Sequence, residues 1–361
     1  MDNLNFLKIK KVDRYANIDG LRTFGCLAII AWHIKANTSF QLGSNIIIDR
    51  VIPSWDYLVY LFMIISGFGM CNGYYENVKQ GKFDINAFYQ KRYRKNVPFF
   101  VLLIVVDLFI ERSISAFYEG MMEVTMLFGF LPNNNLSVIG VSWTLGAIFA
   151  FYIIFPYFVF LIYNKRRAWF SFAVSLLITN LCQVYFMTDK FVNGNFVPRH
   201  AFLFCLPYFI GGGLIYLYKE KIQNLLEGKI LGGVVVCIIV TISYYLIPDQ
   251  VWGFSFVVEK TLILYVMWLS FAIGCRNNLM SNRVTRAVSD ISMEMYLSHM
   301  IVFRVVQKFN IGKFFNNDYI TYLLTYTSVV VLLVIGITVY KKVISHARFI
   351  HICRCLSNIR K

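Results

Sequence analysis

The feature that most constrains this chain is a succession of ten apolar stretches, each close to the roughly 20 residues a helix needs to cross a bilayer. They fall at residues 19–36, 55–75, 97–113, 140–163, 168–187, 200–218, 230–247, 255–275, 289–307 and 319–340. A backbone in hydrocarbon must satisfy its own hydrogen bonds, and a helix does so within one segment. The expected fold is therefore all-α: a polytopic membrane protein with about ten transmembrane helices. Composition agrees. Of the 361 residues, 58% are hydrophobic and 15% charged, against about 45–50% apolar and about 25% charged in soluble domains. The first sixteen residues are polar and basic, with no small-residue cleavage site behind the span that follows, so no cleavable signal peptide is expected.

The chain carries 35 Lys and Arg against 19 Asp and Glu, a net charge of +16. In a soluble protein that excess would raise the question of nucleic acid. Here the basic residues sort by loop. The N-terminal tail (Lys8, Lys10, Lys11, Arg14), the loop from Lys79 to Lys95, Lys165 to Arg167, Lys219 to Lys229, Arg276 to Arg286 and the tail from Lys341 hold 25 of them. The opposite side holds eight, and Arg22 and Arg304 lie inside spans. The positive-inside rule then puts both termini in the cytoplasm. The expected location is the plasma membrane, with membrane lipids as surroundings and no nucleic-acid partner. Residues 1–18 and 341–361 read as cytoplasmic tails around one transmembrane domain, 19–340. The longest loops, 37–54, 76–96 and 114–139, leave no room for a separate catalytic domain, so any chemistry belongs to the bundle or its mouths. The eight cysteines show no disulfide framework. A short tract with His351, Cys353 and Cys355 is read neither as a metal site nor as a palmitoylation site, and no metal is expected.

Charged groups inside spans cost about 2.5–3.5 kcal/mol each on insertion scales and usually face the bundle interior. In the first span Arg22 and His33 are eleven positions apart, about 20° past three full turns, so they share a face about 16 Å apart along the axis. Asp19, three residues before Arg22, can pair with it. The alternative is a snorkelling arginine and an interfacial histidine. In the ninth span Tyr296 and His299 share a face at i, i+3, between Asp290 and Glu294 on one side and Arg304 on the other. Interhelical hydrogen bonds alone would also explain that pair. "FYQKRYRKNVPFF" sets Lys91, Arg92, Arg94 and Lys95 before Pro98, either as membrane anchors or as a socket for phosphates, which guanidinium forks grip bidentately. Trp143, Thr144 and Tyr152 open the fourth span, where an aromatic belt is the plain reading. Ser66, Gly67 and Gly69 in "FMIISGFGM" let helices approach closely.

Taken in order, these pieces resemble the acyltransferase 3 family of integral membrane acyltransferases. The resemblance covers nearly the whole chain: Asp19-Gly20-Leu21-Arg22 followed by ten residues and His33, then "ISGFGM", "FYQKRYRKNVP", "SWTL" with "FYIIFPY", and "MYLSHMIVF". Many members carry a glutamate soon after the tryptophan motif, whereas "GAIFAFY" here has none, so no role transfers to that position. Some members carry an appended hydrolase-like domain, and this chain is expected to act alone or with a separate partner.

The resemblance implies transfer of an acyl group, most often acetyl, from cytoplasmic acyl-CoA to a hydroxyl of a bacterial surface polysaccharide or its lipid-linked precursor. It makes His33 the catalytic histidine, as base or acyl carrier. Arg22 would orient the donor or stabilise charge on the thioester oxygen, with Asp19 fixing it. Arg92, Arg94, Lys91 and Lys95 would hold the donor's phosphates. Tyr296, His299 and Trp143 would face the acceptor. The rival reading is a transporter or flippase with His33, His299, Glu294 and Asp107 as relays, against which stands the lack of repeated halves with matching broken spans.

Overall fold

The structure, a computed structural model, describes residues 14–131, 136, 138–186, 188, 190–191, 197–251, 254–309 and 317–359. The basic residues Lys8, Lys10, Lys11 and Lys313 and the side chains of His351, Cys353 and Cys355 lie outside the described residues.

In chain order the helices are α1 (Ile18–Ala36), α2 (Ile52–Ser54), which leads through one 3-10 turn into α3 (Val59–Lys79), α4 (Ile85–Glu111), α5 (Ile114–Val124), α6 (Trp143–Leu161) and α7 (Lys165–Leu181). Then come α8 (Phe202–Leu226), α9 (Ile230–Leu246), α10 (Val257–Gly274), α11 (Arg283–Ser289), α12 (Ser292–Lys308) and α13 (Asp318–Ile359). Among the described residues the only strands are β1 (Gln250–Val251) and β2 (Phe254–Ser255), a short antiparallel pair between α9 and α10. The chain is thus helical, and each expected span overlaps one long helix.

Among the described residues six segments are long and apolar enough to cross a membrane: Ile47–Lys79, Gly140–Leu161, Lys165–Phe186, Phe202–Leu226, Val257–Gly274 and Asp318–Ile344. The apolar helix α9 is shorter, at 17 residues. The others fall short for a physical reason. Charged residues interrupt α1 and α4, and α12 is 17 residues long with Glu294, His299 and Arg304 along it. The helices that fit a bilayer least are those that carry the candidate site. Phe170 and Leu177 on α7, Leu231 and Ile239 on α9, and Leu323 and Ile335 on α13 are exposed apolar residues, as expected of faces turned to lipid in a multi-pass membrane protein.

Two helices organise the packing. α8 runs against α3, α6, α7 and α10, and α1 runs against α3, α10, α11, α12 and α13. The α3–α8 contact is a mutual backbone approach. A Cβ on Gly67 would come within 2.3 Å of the Phe209 carbonyl oxygen, and one on Gly212 within 2.2 Å of the Ile64 carbonyl oxygen. Helices in lipid gain nothing from burying apolar surface against each other, so they associate through such close packing. Stacked rings extend the seam, with Tyr60 on Tyr208 and Phe151 on Phe209, both pairs at 4.2 Å.

The connections gather at two opposite ends. At one end Asn17 bonds the Cys275 carbonyl at 2.9 Å, Tyr75 bonds the Tyr163 carbonyl at 2.7 Å and Lys341 pairs with Glu294 at 2.8 Å. At the other the Gln41 amide donates to Asp318 at 2.6 Å and Ser54 meets Tyr245 at 3.0 Å. These are the two loop sets that the basic residues separate, and the first is called here the basic end.

Replacing Gly67 by valine should wedge α3 from α8 and destabilise the bundle by several kcal/mol, since overpacking alone costs about 1–3 kcal/mol and here the obstacle is backbone. Gly69→Ala should be neutral or slightly stabilising, because nothing lies within 4 Å of its Cβ position. Thermal melting in detergent, followed by size-exclusion chromatography, separates the two outcomes.

Candidate active site

The site begins with how α1 is seated. Asn17, buried just before the helix, donates from Nδ2 to the carbonyls of Cys275 (2.9 Å) and Asn277 (2.8 Å) and accepts at Oδ1 from the Met280 amide (2.9 Å). Gly20 lets α1 touch that loop: a Cβ there would lie 2.4 Å from the Met280 carbonyl oxygen. Thr23 donates to the Thr285 carbonyl at 2.8 Å. Asp19 accepts from Ser289 at 2.9 Å and pairs with Arg14 at 3.0 Å. The segment "NIDGLRT" is thus a lock between α1 and the α10–α11 connection. One expectation is corrected by it. Asp19 spends its oxygens on Arg14 and Ser289, and among the described residues Arg22 has no ion-pair partner within 4 Å. The lock faces α11, and Arg22 points to the other side.

There Arg22 lines a cavity of about 100 Å³ with Arg92, Lys95, Tyr152, Thr144 and Tyr296. The Arg92 guanidinium lies 5.2–5.3 Å from the ring centres of Tyr74, Phe88 and Tyr152. Its Nε is buried without a hydrogen-bond partner. A cation caged by aromatic faces keeps its charge, so the wall carries three cations, Arg22, Arg92 and Lys95, against two carboxylates, Asp290 and Glu294, of which Glu294 also pairs with Lys341 at 2.8 Å. Lys91 and Arg94 are exposed and do not line it. The four basic residues therefore divide two and two, as the 3.6-residue period of α4 requires.

Tyr296 marks the inner limit of this cavity. Its hydroxyl donates to the Val141 carbonyl (3.1 Å) and meets Thr144 Oγ1 at 2.8 Å. One turn further along α12, about 4.5 Å of rise, is His299. Its ring and that of His33 lie 4.9 Å apart between centroids, tilted by 48°. The shared face read from the eleven-residue spacing holds: Arg22 enters the cavity and His33 meets the second histidine beyond it. His299 Nδ1 is 2.5 Å from the Tyr296 carbonyl oxygen. A carbonyl only accepts, so Nδ1 carries the proton and Nε2 presents a lone pair. That Nε2 is buried and has no partner.

Four groups near the histidines or the tryptophan segment were not singled out from sequence. Arg199 forms an ion pair with Asp56, and these are the charged residues acting on His33. Arg199 also lies 5.6 Å from the Trp143 ring centre, and His200 stacks on that ring at 4.6 Å and 18°. Trp143 is consequently buried, with its ring covered by this chain's own side chains. Arg199 reads in the sequence as a loop residue and His200 as the first residue of the sixth span, 200–218; their signal was position, immediately before α8. Glu123 on α5 is the fourth. Ser142, the residue before Trp143, donates to its Oε1 at 2.6 Å, while Oε2 is buried and unpartnered. A buried carboxyl thus stands beside the tryptophan segment, brought from another helix. Asp107 and Arg304 pair with each other at 3.1 Å. Among the described residues no three His, Cys, Asp or Glu gather in a metal-holding group.

Comparison with known proteins adds an independent line. A family model described as an acyltransferase domain, of the acyltransferase 3 type, matches residues 15–340. The acyltransferase MdmB of Streptomyces mycarofaciens is 25% identical over 197 residues, covering 50% of this chain and 48% of that protein. An uncharacterized protein of Haemophilus influenzae is 25% identical over 191 residues, covering 45% of this chain and 76% of its own. The alignment with the first relative thus spans about half of that protein's length. No solved structure gives a significant match.

Glu123 makes the arrangement testable through pH. Burial pushes its carboxyl up to about 8, against the lowering effect of the Ser142 hydrogen bond. The folded chain then binds a proton that the unfolded chain, with an ordinary carboxylate, has released. Stability should therefore fall as pH rises from about 5 to about 8.5. Glu123→Gln keeps an acceptor for Ser142 and should flatten that part of the melting-temperature profile. An unchanged slope would remove Glu123 as its source.

Proposed function

The chain belongs to the acyltransferase 3 family, and from that premise we propose that it is a membrane-bound O-acyltransferase. It moves an acyl group, acetyl in the first instance, from cytoplasmic acyl-CoA to a hydroxyl of a bacterial surface polysaccharide or its lipid-linked precursor. The observation that carries this reading is the disposition of α1: Arg22 in a cavity with Arg92 and Lys95 at one level, His33 against His299 at the next. The charge sorting of the loops supports a cytoplasmic basic end, which is where the donor is found.

In this reading Arg92 and Lys95 hold phosphate oxygens of the donor at the cavity mouth. Arg22, which has no ion-pair partner among the described residues, orients the donor at the level of Arg92 and Lys95, about 16 Å along α1 from His33. His33 takes the proton from the acceptor hydroxyl as its oxygen bonds the carbonyl carbon. The carbon–sulfur bond then breaks, and the imidazolium returns the proton to the departing thiolate. His299 holds its ring fixed through the Tyr296 carbonyl and keeps the Nε2 lone pair beside His33. Asp19 acts at one remove: it fixes the start of α1 through Arg14 and Ser289, and so the direction in which Arg22 points. Trp143 serves as part of the wall, packed under His200 and Arg199.

Membranes containing the chain, labelled acetyl-CoA and cell-surface glycan precursors test this. Transfer should fall about 10²–10⁴-fold in His33→Ala and about tenfold or more in Arg22→Ala, as loss of a charge-assisted donor contact does, at unchanged protein level. Full transfer by His33→Ala would end the catalytic assignment. The structure sharpens a second comparison: Arg92→Ala should raise the KM for acetyl-CoA about tenfold or more, as loss of a charge-assisted contact does. Arg94→Ala should leave it within about twofold.

A further inference from the structure

At the end opposite the basic loops the bundle opens into a vestibule of about 570 Å³. Its wall is built from the C-terminal part of α1, the α2 segment and the α9–α10 connection. Trp32, Tyr57 and Tyr245 present rings to it, and Asp49, Arg50 and Asp56 present charges. Trp32 is only partly buried. Trp32 also directly precedes His33, and Asp56 in the wall is the ion-pair partner of Arg199. Asp56, with Arg199, is also the charge acting on His33, so through Asp56 the vestibule wall reaches toward the histidine pair from the end opposite the Arg22 cavity.

Its charge is balanced internally. Lys260 pairs with Asp249 at 2.6 Å and lies 4.5 Å from the Tyr244 ring centre. Asp56 is committed to Arg199. That leaves one carboxylate, Asp49, which also accepts from Ser44 at 2.5 Å, and one guanidinium, Arg50. An anion or a cation finds no surplus of opposite charge there. A neutral polyhydroxylated ring finds flat apolar surfaces for its C–H face, and carboxylate and guanidinium groups for its hydroxyls, the mix that small-molecule sites use for orientation.

We propose that this vestibule is the acceptor subsite, binding a neutral sugar ring of the glycan with Trp32 as its stacking platform and Asp49 as a hydroxyl acceptor. One hydroxyl then points past Asp56 toward His33. The proposal rests on the acyl-transfer reading for its chemistry, but the binding itself is separately measurable. It moves the sugar platform from Trp143, which is covered, to the accessible indole at the end of α1.

The test uses the full chain in lipid nanodiscs and the surface polysaccharide of the producing cell, stripped of esters with mild base and cut to oligosaccharides. Saturation-transfer NMR should show sugar-ring protons receiving magnetisation from the wild type. Trp32→Ala should abolish that signal, and Trp32→Phe, which keeps a ring, should restore it. In transfer assays with labelled acetyl-CoA, Trp32→Ala and Asp49→Asn should raise the KM for glycan tenfold or more, with the KM for acetyl-CoA within twofold. No saturation transfer to the wild type, or an unchanged glycan KM in both variants, overturns the vestibule as the acceptor subsite and leaves its rings as an interfacial aromatic belt. Binding abolished by Trp32→Ala without any transfer by the wild type supports the subsite and overturns the acyl-transfer reading instead.

Discussion

Hydrocarbon does not solvate charge, and the architecture of this chain follows from where Arg22, Arg92 and the two histidines must therefore lie. Each has to be enclosed by protein. The lock at the start of α1 settles how. Asn17, Asp19, Gly20 and Thr23 all engage the α10–α11 connection or α11 itself, so the rotation of α1 is fixed before its hydrophobic face is considered. A helix turned by one residue, about 100°, would aim Arg22 away from Arg92 and part His33 from His299. The hydrogen bonds of the lock are modest one by one, but together they choose among helix rotations that lipid-facing packing would leave nearly equivalent.

The other half of the bundle supplies rigidity by different means. Gly67 and Gly212 bring α3 and α8 to backbone contact, and the ring stacks of Tyr60 on Tyr208 and Phe151 on Phe209 continue the seam. α3 and α4 then present Tyr74, Phe88 and Arg92 as one assembly, while the segment preceding α8 presents Arg199 and His200. A frame held by close packing carries polar groups at its two ends. α3 thus walls part of the cavity through Phe62, Ile65 and Ser66, whereas the vestibule is walled by the end of α1, the α2 segment and the α9–α10 connection.

The sequence made part of this plain. Ten apolar runs announced the helices, and an eleven-residue interval placed Arg22 and His33 on one face, because helical period is a property of the backbone alone. The small residues of "FMIISGFGM" announced a close approach, of which Gly67 makes the contact and Gly69 does not. What stayed hidden depended on which helix lies beside which. Arg14 and Ser289 compete for Asp19, and the nearer partner along the helix loses it. Trp143 reads as an exposed interfacial ring until His200 is found stacked on it. Asp56 and Glu123 gave no periodic signal: Asp56 meets Arg199, 143 positions along the chain, and Glu123 meets Ser142, 19 positions on and beyond the end of its own helix. The absent acid after "SWTL" was visible as an absence, but nothing local could point to a buried carboxyl on α5 beside Ser142.

The histidine pair shows why the two openings matter together. Two imidazolium ions at 4.9 Å in a water-poor interior would repel strongly, so the pair accommodates one positive charge at most. His299 is bound to donate from Nδ1 to a carbonyl, which leaves its Nε2 as a lone pair facing that shared charge. An ion pair, Asp56 with Arg199, stands on the vestibule side of His33, and the caged cation Arg92 and the unpaired Arg22 stand on the other. A proton released on the vestibule side can thus be held between the rings while negative charge develops on the cavity side. In the proposed reaction that separation lets an acyl group pass from a donor at one face to an acceptor at the other through a single walled centre, with neither large polar substrate having to cross the bilayer.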